Sequence, residues 1–319
     1  MLSGNDPAAK VHTNRSMALA LEFDTTFEPS YGRPVEAAPG VFRLTVENPS
    51  PFTFHGTNTY LVGERSLAVV DPGPEDEAHL AAILRAANGR PISHIFVSHT
   101  HRDHSPLAAR LKAQTGAQVL AQGPHRLARP LRIGEASRLD ASGDTDFEPD
   151  VALADGDIVD GDGWALRAVH TPGHAANHTA FALEGSGILF SADHVMAWST
   201  TIVAPPDGAM TDYMASLDKL LARDDRLFLP GHGGPVTSPK AFMRGLKAHR
   251  KMRERAILER LSAGDRTIQD MVKSIYRDTD PRLYAAAGLS VLAHIEDLIG
   301  RNVVAVEGDP AIDSVYRLK

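Results

Sequence analysis

The sequence of 319 residues contains no cysteine. This absence excludes disulfide bridges, zinc ribbons, iron–sulfur clusters and cysteine nucleophiles. A chain of this length can bury a full hydrophobic core without covalent cross-links. Because proteins without disulfides are at home in reducing compartments, we predict a cytoplasmic globular protein.

The sequence also lacks an excess of positive charge and a long apolar run. Its formal net charge is −7, which argues against a general nucleic-acid binder. The charge is uneven, since residues 1–246 contain 20 basic and 29 acidic residues and residues 247–319 contain 13 and 11. No run of 18 apolar residues is present, so we predict no membrane span and no membrane partner.

Strand and helix patterns alternate along most of the chain. Strands are predicted at 41–46, 59–62, 66–70, 92–98, 118–121, 164–169, 179–183, 187–191 and 227–229, and helices at 75–87, 107–114 and 213–221. This alternation predicts an α/β sandwich over residues 40–243. Residues 1–39 form a proline-punctuated lead-in, and the Asp-, Ser- and Gly-rich stretch 134–149 is an insertion or lid candidate.

The C-terminal segment, 244–319, has a different pattern. A basic helix is predicted at 241–261, a second helix follows the capping box Thr267-Ile-Gln-Asp270, and a third covers 281–299. Residues 303–306 and 314–318 complete the segment as a short hairpin. Three helices and a ribbon predict a winged-helix-like domain, and its regular apolar faces predict that it packs against the core near the functional site.

The segment His99-Thr-His-Arg-Asp-His104 carries the strongest chemical signal. It places three imidazoles and one carboxylate directly after a predicted strand, where a rigid scaffold presents side chains to solvent. A lone histidine is more often structural than functional, but four liganding residues in this alternation favour a metal site. Nitrogen and oxygen donors without thiolates suit Zn²⁺, with Fe or Mn as alternatives.

Further His and Asp residues follow other predicted strands. His170-Thr-Pro-Gly-His174 follows the strand at 164–169, Asp193 follows 187–191, and His232 follows 227–229. Each of these motifs follows an apolar run of strand length.

Together these motifs resemble the metallo-β-lactamase superfamily. The resemblance covers the HxHxDH segment, the HTPGH segment through His170, the lone Asp193, the late His232 and the segment FTFHGTNTYLVG at 52–63. It implies a four-layer αβ/βα sandwich, in this chain with the winged-helix-like domain at its C-terminus.

The resemblance also implies two metal sites. Three histidines would hold the first metal ion: His99, His101 and His170. Asp103, His104 and His232 would hold the second, and Asp193 would bridge the pair. Two Zn²⁺ ions per chain would generate a bridging hydroxide that attacks an electrophilic carbon or phosphorus, and Asp103 is the candidate catalytic residue that orients this hydroxide.

Residues 211–317 resemble more narrowly the beta-lactamase-like protein 2 subfamily, whose animal members are zinc-dependent endoribonucleases. The acidic core here is unfavourable for an RNA groove. We therefore predict a dinuclear zinc hydrolase of an ester, thioester, lactone or amide of a small molecule. An endoribonuclease that cleaves single-stranded RNA is the alternative, and a DNA-binding regulator is disfavoured because the predicted recognition helix, 282–299, offers few base-reading side chains.

Several residues near these motifs are candidates for supporting the ligands or contacting the substrate: His55, His174, His178, Thr200 and Thr201. His194 is interpreted as structural. The C-terminal domain is a candidate for covering the rim of the site or for a homodimer contact.

Overall fold

The computed structural model describes residues 21–132, 143–278 and 280–319. Parts of the predicted lead-in (1–20) and of the predicted insertion (134–142) lie outside the described residues.

Seven strands form the first β-sheet, in the order of the chain. They are β1 (Val35–Ala38), β2 (Val41–Thr45), β3 (Asn58–Val62), β4 (Leu67–Val70), β5 (Ile92–Phe96), β6 (Gln118–Ala121) and β7 (Val151–Ala152). The strands from β1 to β4 pair antiparallel, and those from β4 to β7 pair parallel. The parallel half brings the carboxyl ends of β4, β5 and β6 to one edge of the sheet.

Five strands form the second sheet, in the order β12, β11, β10, β9, β8. Their bounds are β8 (Ile158–Asp160), β9 (Ala165–His170), β10 (Thr179–Leu183), β11 (Ile188–Ala192) and β12 (Leu227–Pro230). Only β11 and β12 pair parallel among these strands. Their carboxyl ends therefore lie side by side.

Helices cover the outer face of each sheet, which produces four layers. The helices are α1 (Glu77–Ala87), α2 (Leu107–Thr115), α3 (Met210–Leu221) and α4 (Pro239–Ser262). Apolar side chains of α1 and α2 pack on the first sheet, and those of α3 and α4 pack on the second. A third cluster, which includes Phe96, Phe181 and Phe190, fills the space between the two sheets. The predicted αβ/βα sandwich is confirmed.

Side-chain caps fix the start of two helices where the sequence predicts them. The Asp76 carboxylate accepts a hydrogen bond from the backbone N–H of His79 at 2.6 Å at the start of α1. Thr267 Oγ1 accepts one from the backbone N–H of Asp270 at 3.2 Å, at the start of α5 (Ile268–Ile275). Each cap satisfies an N–H that has no partner within its helix.

The C-terminal domain is built on the second half of α4. It contains α5, a 3₁₀ turn (Pro281–Leu283), α6 (Tyr284–Gly300) and the antiparallel pair β13 (Val304–Val306) and β14 (Tyr316–Leu318). These elements share their own apolar cluster. The segment Pro281–Gly300 is long and apolar enough to cross a membrane by length and composition, but residues such as Val291 and Ile295 are buried in this cluster.

The predicted boundary at 243/244 falls within α4. Met243 and Leu246 of this helix pack in the core of the second sheet, whereas Ile257 and Leu261 pack in the C-terminal cluster. One continuous helix therefore belongs to both domains, which fixes their relative position.

Three short strands, β1, β7 and β8, are absent from the sequence-based prediction. β7 has two exposed residues and β8 has exposed residues at both ends. Such edge strands form by pairing with neighbours, and they leave little apolar periodicity in the sequence.

Candidate metal centre

The His and Asp motifs converge at the edge where the strands of both sheets end. The segment 99–104 follows β5, Asp193 follows β11 directly, and His232 follows β12 by two residues. His174 lies in the loop from β9 to β10. Because β4 and β5, and β11 and β12, run parallel in pairs, their carboxyl ends present these side chains to a common point.

Three histidines form the first group. The Nε2 atoms of His99 and His174 each lie 3.0 Å from Nδ1 of His101. His101 Nδ1 therefore faces two other ring nitrogens. An imidazole nitrogen carries either one hydrogen or one lone pair, so hydrogen bonds among the three rings cannot satisfy all three nitrogens. Three nitrogens aimed at one point are the donor set of a metal site with imidazole ligands.

The second group contains Asp103, His104 and His232. Asp103 Oδ2 lies 3.5 Å from His104 Nε2 and 3.3 Å from His232 Nε2. Asp193 lies between the groups, with Oδ1 3.5 Å from His104 Nε2 and Oδ2 3.6 Å from His174 Nε2. This carboxylate can reach both groups, which is the geometry of a bridging ligand.

Buried polar atoms without a hydrogen-bond partner support the fit of a cation. Among the described residues, His104 Nε2 and Asp193 Oδ1 are buried and lack a hydrogen bond. An unpaired buried polar atom costs free energy. A divalent cation between the two groups would satisfy both atoms, so the residues present fit a metal centre.

The outward nitrogen of each ring in the first group faces a hydrogen-bond acceptor. His99 Nδ1 lies 2.9 Å from Ser98 Oγ, His174 Nδ1 lies 2.7 Å from the carbonyl of Ile202, and His101 Nε2 lies 2.7 Å from Asp207 Oδ2. With these nitrogens protonated, Nε2 of His99, Nε2 of His174 and Nδ1 of His101 carry free lone pairs. Such contacts orient metal-binding imidazoles and fix their tautomers.

The second group is held in the same way. His104 Nδ1 lies 3.0 Å from Asp71 Oδ2, and His232 Nδ1 lies 3.2 Å from the carbonyl of Gly56. Asp71 also accepts hydrogen bonds from Ser98 Oγ and from the Ser98 backbone N–H, both at 2.7 Å. Because Ser98 contacts His99, this buried carboxylate orients residues of both groups.

Asp71 and Asp207 are absent from the sequence-based site. The sequence signal for Asp71 is its place directly after β4, which matches the place of Asp193 directly after β11. Asp207 lies in a loop after two prolines, and its nearness to His101 depends on the tertiary fold.

The charges of the cluster shift its pKa values strongly. Burial would raise the pKa of Asp193, but the imidazoles of His232 and His104 hold it well below its usual range. Burial would lower the pKa of His232, but Asp193 and Asp103 raise it to about 9. The carboxylates thus stay ionised and attract cations, and a metal ion competes with protons for the His232 nitrogen.

The structure corrects the position assigned to His170. This residue ends β9, and its Nε2 lies 3.0 Å from the carbonyl of Leu153, outside the three ligand groups. The Thr-Pro-Gly loop continues four residues past the strand and brings His174 to the place predicted for His170. The six other predicted metal ligands lie in the groups described above.

The remaining candidates lie at varied distances from the cluster. His178 places Nδ1 2.8 Å from Thr171 Oγ1, and its ring centroid lies 5.1 Å from that of His99. Thr201 Oγ1 lies 2.6 Å from the carbonyl of Asp193 and therefore anchors the loop after β11.

The other three have contacts of their own. His55 packs edge-on against Phe54, the half-buried Thr200 accepts a hydrogen bond from Ser199 through its carbonyl, and His194 is fully buried against Tyr213. The buried position of His194 agrees with its structural interpretation.

An open cleft of about 830 Å³ adjoins the ligand cluster. On the side of the core, the cleft is lined by polar residues of the site: His101, Asp103, His174, Asp193, Asp207 and His232. Apolar residues such as Phe52, Met196 and Ile202 line the rest of this side. The C-terminal domain forms the opposite wall with residues of α5, α6 and the wing. The prediction that this domain packs near the site agrees with this geometry.

Two basic residues of α4 contact the core. Lys247 forms an ion pair with Asp218, and Arg250 is buried and donates a hydrogen bond to the carbonyl of Thr201. Among the described residues that line the cleft, Lys273 is the one lysine or arginine.

Comparison with known proteins agrees with the geometry. A sequence profile of the Metallo-beta-lactamase superfamily matches residues 52–232, and one of the Beta-lactamase associated winged helix domain matches residues 267–313. The chain belongs to the metallo-β-lactamase superfamily. It is therefore a member of a hydrolase family that binds divalent metal ions.

Two relatives place this superfamily member more narrowly. It is 31% identical over 273 residues to the Beta-lactamase-like protein 2 homolog of Drosophila melanogaster, covering 81% of this chain and 87% of the relative. It is 27% identical over 264 residues to the Atrochrysone carboxyl ACP thioesterase dmxR1 of a Cryptosporiopsis species, covering 76% and 74%. A Beta-lactamase domain protein from Burkholderia ambifaria has the same fold, with a TM-score of 0.76, 23% identity and coverage of 95% and 99%. The predicted resemblance to the beta-lactamase-like protein 2 subfamily is confirmed.

Proposed function

We propose that this protein is a dinuclear zinc hydrolase that cleaves an ester or thioester of an apolar small molecule. The observation that carries the proposal is the largely apolar cleft that opens directly onto the ligand cluster. A concave apolar site with a few convergent polar groups is typical of small-molecule binding. A relative named as a thioesterase supports the thioester within this class.

His99, His101 and His174 would hold one ion, Asp103, His104 and His232 the other, and Asp193 would bridge them. All seven donors are nitrogen or oxygen atoms, which suit Zn²⁺ and also iron or manganese. When bound, a pair of such ions lowers the pKa of water and polarises the substrate carbonyl.

The protein's own residues orient and protect the reaction. Asp103 borders the cleft with a side chain about one quarter exposed, so one of its oxygens can hold the attacking water by a hydrogen bond. In the reaction the water oxygen forms a bond with the carbonyl carbon, and the bond from that carbon to oxygen or sulfur breaks. The water supplies a hydroxyl to the acid product and a proton to the alcohol or thiol.

The same cleft argues against the endoribonuclease alternative. Four aspartates line it in the described structure, Asp103, Asp193, Asp207 and Asp313, against one lysine. Single-stranded RNA sites combine basic grooves with aromatic stacking surfaces. Two bound divalent cations would offset the charge of these carboxylates, but the rest of the cleft wall would stay apolar, with Lys273 as its one basic side chain among the described residues.

A substrate panel on the zinc-loaded protein tests the proposal. The panel contains an ester, a thioester, a lactone, a β-lactam and single-stranded RNA, and elemental analysis gives the metal content. We expect about two ions per chain and the highest turnover on the ester or thioester. Cleavage of RNA alone, or full loading with fewer than one ion per chain, would overturn it.

A pair of variants tests whether the ligand cluster is required for the activity. His174→Ala should lose metal and turnover, and His170→Ala, which changes a histidine four residues away, should keep both. Wild-type turnover of folded His174→Ala would remove the cluster from the reaction.

A further inference from the structure

The wall of the cleft opposite the ligand cluster belongs to the C-terminal domain. Ile268 and Val272 of α5 and Tyr284, Gly288 and Leu289 of α6 line it. We call this surface the α5–α6 wall. It faces the cluster across open space, so a substrate whose carbonyl lies at the cluster can place its remaining atoms along this wall.

Gly288 is a glycine in the interior of α6 that the packing of the chain does not require. A Cβ added there would meet Ile268 Cγ2 at 3.6 Å and Ile312 Cδ1 at 3.8 Å, which are ordinary contact distances. Glycine inside a helix is less favourable than alanine, because it loses more conformational freedom on folding. The missing side chain instead leaves space in the cleft, since Gly288 lines it.

Two large apolar side chains at the cleft are exposed to solvent. Phe52, from the loop before β3, is 53% exposed, and Ile312, from the wing, is 37% exposed. They come from opposite domains and line the same space. An apolar ligand between them would remove both from water, which is favourable in proportion to the area covered.

The charges of the cleft are separated along it. Three of the four aspartates of the cleft, Asp103, Asp193 and Asp207, lie at the ligand cluster. The C-terminal domain contributes the exposed Lys273 and Asp313 and otherwise mostly apolar atoms. A ligand that fits has one polar end at the cluster and a bulky apolar body along the wall.

We propose that the α5–α6 wall binds the apolar acyl group of the substrate and that Gly288 sets the size of the acyl group accepted. The substrate class is a thioester or ester of a medium- to long-chain acyl group, in preference to acetyl. This inference rests on the proposed hydrolase function for its catalytic readout. Phe52 and Ile312 cover the acyl group from the two domains.

A series of N-acetylcysteamine thioesters, from acetyl through butyryl and octanoyl to decanoyl, tests the inference. We expect kcat/KM of the zinc-loaded protein to rise along the series, mainly through a lower KM. Gly288→Leu fills the wall and should lower kcat/KM for the decanoyl thioester by about tenfold or more, with acetyl turnover changed about twofold or less. Gly300→Leu is the matched control, because Gly300 is exposed at the end of the same helix and has open space around it.

Calorimetric binding of decanoate separates this inference from the proposed function. If the protein hydrolyses no thioester or ester, the proposed function fails. The inference about the α5–α6 wall would still be supported if the protein binds decanoate, Gly288→Leu abolishes this binding and Gly300→Leu retains it. Hydrolysis that is independent of acyl length, or equal decanoate binding by both variants, would overturn the inference. Circular dichroism and thermal unfolding establish that each variant is folded, and Gly288→Ala serves in place of Gly288→Leu if the larger side chain prevents folding.

Discussion

His101 and Asp207 are 106 positions apart in the sequence, and their side chains lie 2.7 Å apart, Nε2 to Oδ2. The contact fixes the ring of His101 so that Nδ1 points at His99 and His174. Asp207 is buried and lines the cleft beside the cluster. It is therefore a positioning residue for a predicted metal ligand.

We expect Asp207→Ala to weaken zinc binding by about 10- to 100-fold, the usual effect of losing a group that orients a metal-binding histidine. Asp207→Asn should keep part of the affinity, because its amide oxygen can still accept from His101 Nε2. Competition with a zinc chelator measures both. Asp224→Ala is the control, since Asp224 pairs only with Lys240 at an exposed site among the contacts described, and equal affinity in all three variants would contradict the role of Asp207.

Substitution of each histidine in the HTPGH segment by alanine should affect metal binding differently. His174→Ala should reduce bound metal from about two ions to about one per chain, because it removes a nitrogen from the first group. His170→Ala should leave the metal content unchanged, since its ring contacts the carbonyl of Leu153. Elemental analysis after dialysis distinguishes them, and metal loss from His170→Ala alone would restore the sequence-based assignment.

Asp103→Ala should abolish hydrolysis and leave the fold intact. The variant removes a donor and the proposed hydrogen bond to water, and its side chain is partly exposed, so little core packing is lost. Turnover and thermal unfolding are measured on the same preparation. Asp313→Ala, which changes a carboxylate of the cleft outside the ligand groups, should retain activity, and normal turnover of folded Asp103→Ala would remove Asp103 from the mechanism.

Acid should destabilise the C-terminal domain through His294. Burial lowers the pKa of His294 to about 3, helped by the nearby positive charges of Arg250, Arg301 and Arg253. Because this pKa is lower in the folded than in the unfolded chain, the unfolded chain binds more protons below about pH 6.5, and stability falls as the pH drops from 7 to 5.

The expected contribution of His294 to this loss is about 2 kcal/mol at pH 5. His294→Leu, with a side chain that does not titrate, should therefore lose less stability between pH 7 and pH 5 than the wild-type chain. Urea unfolding at both pH values measures the difference. The same loss in both proteins would show that another group dominates the acid sensitivity.

Local patterns in the sequence predicted most of the fold. Val69 and Ile95 lie in apolar runs of strand length, and the Thr267 capping box marks the start of α5. Both patterns are visible in the sequence because strand periodicity and helix capping depend on residues only a few positions apart. The short β7 and β8 were not predicted, since their exposed residues carry no apolar pattern.

The sequence by itself determined which chemical groups this protein places after its strands: imidazoles and carboxylates, no thiolates, in the order His99 to His232. Only the tertiary structure decided between His170 and His174, because the path of a loop past its strand is not encoded in spacing. It also brought Asp71 and Asp207 to the histidines and set the α5–α6 wall across the cleft. These contacts join residues far apart in sequence, and they exist only because the packed sheets and the shared helix α4 hold distant segments at fixed positions.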